Sequence, residues 1–167
     1  MKKKVVGLLV ALTVLSLLVS FFIWAHPVRL SHRRQCYEKL KLLGNAIKTY
    51  QVENQGQLPQ QLSILSNELS NPIFLICPGT GHTPGSFSNV ETWSDYILVD
   101  WAAIRGTNIV TGDFPIAYDR SIRNHAGDGI NVLTADGVVH WDSKGEWLEK
   151  FAQEHSYFKL PLFRPSP

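Results

Sequence analysis

Hydrophobic and polar positions fall into three regimes along the chain. After Met1-Lys2-Lys3-Lys4, the residues from Val5 to Ala25 carry no charge. From Ser31 to about Asn54, apolar residues recur at Cys36, Leu40, Leu43, Ile47 and Tyr50. These offsets of 0, 4, 7, 11 and 14 lay one stripe along a helix. Beyond Asp95 the pattern shortens to β-rich runs parted by turn residues.

The first regime predicts a membrane span. Its 21 residues, at about 1.5 Å rise each, make a helix of roughly 30 Å, the thickness of a bilayer core. A cleaved signal peptide is the competing reading. Signal apolar regions usually run only about 7–15 residues, and Ile23-Trp24-Ala25 places bulk where small residues are preferred. The expectation is an uncleaved signal-anchor, a transmembrane helix. Lys2, Lys3 and Lys4 on one flank face Arg29, Arg33 and Arg34 on the other, so the positive-inside rule gives little bias. The short N-terminal tail before a long ectodomain favours an N-in, C-out arrangement.

The second regime predicts a stem helix. Ser31 suits its N-cap, Tyr37 and Ala46 widen the stripe, and Asn54-Gln55-Gly56 gives the stop. Lys39, Lys41, Lys48 and Glu53 lie outside the stripe, and a kink or interruption is expected near His26-Pro27. A short helix from about Pro59 to Leu69 follows. Residues 71–92, rich in Pro and Gly, read as a functional loop or one tied down by a staple near Cys77.

The third regime predicts strands at Asp95 to Trp101 and Phe114 to Asp119, then a hairpin. Asp136-Gly137 between Ile130–Ala135 and Val138–Trp141 is a favoured two-residue turn, both of whose central residues tolerate positive φ. It would pair Ala135 with Val138, Thr134 with Val139, Leu133 with His140 and Val132 with Trp141. An amphipathic helix over 144–154, with Trp147, Leu148 and Phe151 on one side, precedes a Pro-rich tail. The layout is α+β. It divides into a basic tail and transmembrane helix (1–25), a stem helix (26–56), a head (57–158) and a tail (159–167).

Charge narrows the partners. Setting aside Lys2, Lys3 and Lys4 leaves 13 Lys and Arg against 14 Asp and Glu, so no broad basic surface exists for nucleic acid. Cys36 and Cys77 are the whole cysteine complement. In an oxidising compartment they are expected to pair as a disulfide bond; the alternative is two buried thiols.

Several motifs together resemble a known family. They are Cys36-x3-Leu40-x3-Gly44-x5-Tyr50, Gly56-Gln57-Leu58-Pro59, Cys77-Pro78, Pro115-Ile116-Ala117-Tyr118-Asp119, and His125 leading to Asn131-Val132-Leu133-Thr134-Ala135-Asp136-Gly137. The chain over 1–142 resembles the prepilin-type proteins with a C-terminal His-X9-Asp-Gly motif, themselves similar to G-type pseudopilins of type II secretion. The resemblance implies a pilin-like fold, a long N-terminal helix packed on a small antiparallel head. It carries the family motif onto His125, Asn131, Asp136 and Gly137. Two departures stand out. Ten residues separate His125 from Asp136 where the family has nine, and the processing signature is missing, since no acidic residue follows Gly7 within the apolar run. The latter implies a permanent anchor and removes the family's handle for polymerisation.

The chemistry-bearing residues gather late in the chain. Asp119, His125, Asp128 and Asp136 could supply a metal site or acid–base groups. The resemblance adds a calcium site in this region, for which Asp119, Asp128 and Asp136 are the candidates, beside Asn131. No EF-hand spacing supports it, and turn chemistry already accounts for Asp136. His125 also has a plain reading as a loop histidine bonded to local backbone, His140 as a sheet residue, and His82 and His155 as surface residues. Gly85-Ser86 lacks a nucleophile elbow and Gly79-Thr80-Gly81 lacks the lysine of a phosphate loop, so no enzyme is expected.

The sequence therefore reads as a pseudopilin-like structural or interaction protein of the bacterial cytoplasmic membrane, single-pass, with its head extracytoplasmic (periplasmic). Its partners would be the membrane and other secretion or envelope proteins. The alternative is an envelope-anchored glycan-binding module that presents Trp93, Trp101, Trp141 and Trp147 as a stacking face.

Overall fold

In a computed structural model of the chain, the backbone is described for residues 2–100 and 112–155, and side chains of 2–10, 22 and 24–29 are not described. Trp101, the loop at 106–111 and the Pro-rich tail lie outside the described residues. The chain divides into two units, Met1–Ser31 and His32–Pro167. Helix α1 (Lys2–Glu53) supplies the first unit and opens the second. Its assignment runs through Pro27 in place of the expected interruption, because helical turns on both sides sustain it past one missing amide donor.

One expectation is overturned. Among the described residues no helix is long and apolar enough to cross a membrane. The transmembrane helix, the signal-anchor and the single-pass location in the cytoplasmic membrane are corrected accordingly.

In the second unit the stripe does what its spacing predicts. Cys36, Leu40, Leu43, Ala46 and Ile47 are buried, while Leu42 between the stripe positions is exposed. They pack on a four-stranded antiparallel sheet in the order β1 (Tyr96–Leu98), β2 (Pro115–Asp119), β3 (Gly129–Thr134), β4 (Val139–Ser143). Mixed helix and antiparallel sheet confirm the α+β class. Gly44 lets the helix lie close on the sheet, since a Cβ there would sit 3.2 Å from the methyl carbons of Leu133. Two short helices, α2 (Ser66–Leu69) and α3 (Val90–Trp93), replace parts of the predicted short helix and the predicted loop. Helix α4 (Glu146–Glu154) closes the described chain.

The register places α1 and α4 on opposite faces. Alternation puts Tyr96, Ala117, Asp119, Asn131, Leu133 and Trp141 on the face that meets α1, with Ile97, Tyr118, Val132, His140 and Asp142 behind. Asp142 accepts hydrogen bonds from the amides of Trp147 (3.1 Å) and Leu148 (2.8 Å) and so caps α4 from the rear face. Burial raises the Asp142 carboxyl above its ordinary pKa, and the two amide bonds oppose that shift. With both faces covered, β2 and β3 are buried at every position.

The hairpin differs from its predicted register by one residue. Leu133 pairs with Val139, Val132 with His140 and Asn131 with Trp141. The amide of Gly137 bonds to the Thr134 carbonyl and that of Thr134 to the Val138 carbonyl, a three-residue loop with a glycine bulge. Only Gly137 takes positive φ, at 85°. The reason is Asp136, whose Oδ1 accepts from Thr134 Oγ1 (2.6 Å) and from the Val138 amide (3.1 Å), holding the wider loop. Those same bonds pull the Asp136 carboxyl below its ordinary pKa.

A side chain at Gly137 meets no atom within 4 Å, so substitution there is penalised by backbone conformation alone. Gly137→Val should lower stability by about 1–2 kcal/mol, and Gly137→Asn by less. Urea midpoints compare the two; equal midpoints for valine and wild type would refute the bulge.

Candidate functional site

Beneath α1 the sheet carries a buried polar layer, and its centre is a carboxylate. Asp119, at the end of β2, is fully buried. Its Oδ2 accepts from the Asn131 amide (2.6 Å), from Asn131 Nδ2 (3.0 Å) and from His125 Nε2 (2.9 Å). A carboxylate so close to Nε2 requires the proton on that nitrogen. In the neutral ring Nδ1 is then the lone-pair atom.

Local structure explains why His125 points inward. Two residues beyond β2, the Ser121 hydroxyl accepts the Arg123 amide and caps a single 3-10 turn over Ile122–His125. Ala126 closes that turn at φ 58°, and the Gly127 amide bonds to the Ile122 carbonyl at 2.8 Å. The turn buries both Asn124 and His125. Trp141 of β4 meets the imidazole edge-on at 5.4 Å, and the Arg33 guanidinium of α1 lies 3.8 Å over the indole. Burial lowers the Arg33 pKa from its ordinary value.

A second buried carboxylate orders the long loop. Asp95, just before β1, accepts from the Cys77 amide (2.9 Å) and Thr80 Oγ1 (2.7 Å) and pairs with His82 Nδ1 (2.8 Å). Asn124 Nδ2 reaches the Asp95 carbonyl at 3.3 Å, which ties the two carboxylate sets together. From α1, Lys39 Nζ donates to the carbonyls of Ile73 (3.0 Å) and Ile76 (2.6 Å). Burial lowers the Lys39 pKa while the Asp95 charge opposes that shift. The Tyr96 hydroxyl is pushed well above its ordinary pKa by burial, then by the charges of Asp119 and Asp95.

Cys36 and Cys77 form the expected disulfide, with Cα atoms 5.6 Å apart and both residues fully buried. It joins α1 to the start of the loop, at the staple position. A ring nitrogen of His125 and the two sulfurs all lie within 4.8 Å of one another. Gly79 passes so close to the Asn124 carbonyl that a Cβ there would collide with it. Among the described residues, three buried polar atoms of this layer have no hydrogen-bond partner: His125 Nδ1, Asp119 Oδ1 and the Tyr96 hydroxyl.

The calcium candidates are not brought together. Asp128 precedes β3 and Asp136 follows it, so a whole strand of roughly 20 Å separates them. Asp119 is occupied by His125 and Asn131, and Asp136 by its own turn. Of the family-motif residues, His125 and Asn131 meet at Asp119, while Asp136 and Gly137 shape the hairpin. His82 is exposed but bonded to Asp95, His140 is an exposed sheet residue packed on Trp147, and His155 stacks on Phe151. The described tryptophans do not share a face. Trp93 donates to the Ser86 carbonyl, Trp141 lies between Arg33 and His125, and Trp147 packs behind β4.

Sequence reasoning missed Asp95, Lys39 and Asn124. Asp95 sits between Trp93 and the Tyr96-Ile97-Leu98-Val99 run, a setting in which a lone carboxylate is destined for burial and needs donors. Nothing in the spacing marked Lys39 or Asn124. No family model, curated protein or solved structure matches this chain.

Proposed function

We propose that this chain is a pseudopilin-like structural and interaction protein, a non-enzymatic subunit of a secretion or cell-envelope assembly with a pilin-like fold. The observation that carries the reading is the exposed apolar helix of the first unit. Leu12, Val14, Leu15, Leu17, Leu18, Val19, Phe21 and Ile23 are all about half or more exposed, Leu17 at 71%. Their positions surround the helix rather than forming one stripe, so they are suited to burial among several neighbours. A helix of this kind continuing into a disulfide-stapled head supports assembly through the helix and recognition through the head. The motifs around Cys36, Gly44, Tyr50, His125 and Asp136-Gly137 support the same reading. The buried polar layer serves in it as a rigid brace for the head.

The test is photo-crosslinking in cells from a probe at Leu17 and another on the head at Val138, with mass spectrometry of the adducts. Crosslinks from Leu17 to the corresponding helix of other pilin-type subunits, or of further copies of this chain, are expected. Adducts only to lipid, glycan or unrelated proteins would overturn the proposal.

A further inference from the structure

We infer that Cys36, Cys77 and His125 form a zinc site that the disulfide holds closed and that a two-electron reduction opens. This goes beyond the structural role proposed above. Three observations converge on it. The two sulfurs and a ring nitrogen of His125 already lie within 4.8 Å of one another. His125, whose side chain is 3% exposed, has its Nε2 proton committed to Asp119, while Nδ1 is buried without a partner. The Asn124 carbonyl oxygen lies 3.8 Å from Cys77 Sγ, about the spacing of two donors on one tetrahedral ion.

The Asp119–His125 pair is the arrangement that tunes a metal-binding imidazole. A carboxylate accepting from one ring nitrogen fixes the tautomer, orients the ring and raises the basicity of the other nitrogen. Asn131 in turn holds Asp119 through two bonds, so the carboxylate is itself positioned. In the oxidised chain none of this has an evident purpose for Nδ1, a buried atom that no protein donor meets. A cation would satisfy it.

The step balances with a dithiol as reductant. The dithiol gives two electrons and two protons to the Cys36–Cys77 bond, yielding two thiols and its own disulfide. Zn²⁺ then binds both sulfurs and Nδ1 as the two thiol protons leave. Two thiolates and one dication make a neutral unit, which suits burial at this depth. The Cα separation of 5.6 Å lets both sulfurs reach one ion. Soft thiolates with one imidazole select zinc over calcium or magnesium.

The experiment uses the full chain, oxidised or reduced with a phosphine, titrated with Co²⁺ and then Zn²⁺. The reduced chain should bind one Co²⁺ with thiolate-to-cobalt charge transfer and tetrahedral d–d bands, displaced by one Zn²⁺. The oxidised chain should bind none. Zn²⁺ should raise the Tm of the reduced chain and leave that of the oxidised chain unchanged. Asp119→Asn should weaken zinc binding about 10–100-fold, and His125→Gln should abolish the tetrahedral spectrum. A reduced chain that binds neither ion, or binds them equally after His125→Gln, would overturn the inference. If reduction alone unfolds the head, zinc must restore its far-ultraviolet circular dichroism; failure to do so overturns the inference equally.

Discussion

Asp119→Ala is expected to destabilise the head by about 3–5 kcal/mol, the range for removing one partner of a buried charged set. Its Oδ2 is the acceptor for three donors, the Asn131 amide, Asn131 Nδ2 and His125 Nε2, and all three groups are buried. Alanine removes that acceptor and offers no water in exchange. The cost is therefore the desolvation of three orphaned donors rather than the modest net worth of three hydrogen bonds. Asp119→Asn separates the two contributions. An amide oxygen at the Oδ2 position can keep all three bonds, and the new NH2 falls where Oδ1 has no partner. The asparagine variant should lose about 1–2 kcal/mol. Urea unfolding of wild type and both variants decides the matter. Equal losses for alanine and asparagine would show that charge, not hydrogen-bond geometry, is what the site requires.

This hub also shows where sequence reading stops. The α1 stripe was legible because periodicity reports burial directly, and Cys36, Leu40, Leu43 and Ile47 are buried as their spacing predicts. The strands at β2, β3 and β4 were legible from β-rich runs and turn residues. The register of the last hairpin was not. A two-residue and a three-residue loop share the Asp-Gly signature, and the choice rests on the bonds Asp136 makes to Thr134 and Val138. The polar layer was less legible still. Asp119 joins residues 6 and 12 positions later through long-range folding that no local pattern encodes. Asp119 and His125 stand out for their chemistry, but the calcium grouping sets Asp119 beside Asp128 and Asp136, whereas its hydrogen bonds run to His125 and Asn131. Its carboxylate turned inward to an imidazole and an amide, while Asp136 stayed at the far end of β3. The membrane reading failed for a different reason. Absence of charge from Val5 to Ala25 predicts a span, whereas among the described residues no helix is long and apolar enough to cross a membrane.

Removing the disulfide by a double Cys36→Ala, Cys77→Ala substitution is expected to cost about 4 kcal/mol, from the chain entropy released when a loop of 41 residues opens. Globular domains hold only about 5–15 kcal/mol in total, so this one crosslink is a large share. Most of the effect lies in the unfolded chain, which gains freedom it lacked. The folded head keeps other ties between α1 and the loop, since Lys39 still bonds to Ile73 and Ile76 and Asp95 still holds the Cys77 amide. The variant should therefore fold to the same far-ultraviolet spectrum and unfold at a lower urea concentration. Hydrogen exchange sharpens the test. If the crosslink acts through the unfolded state, amides across β2 and β3 should lose protection in equal measure. If it acts by pinning the loop, the loss should concentrate at residues 72–82 while the sheet stays protected. A unchanged midpoint would mean that Lys39 and Asp95 alone hold α1 and the loop together, and that the sulfurs are there for something other than stability.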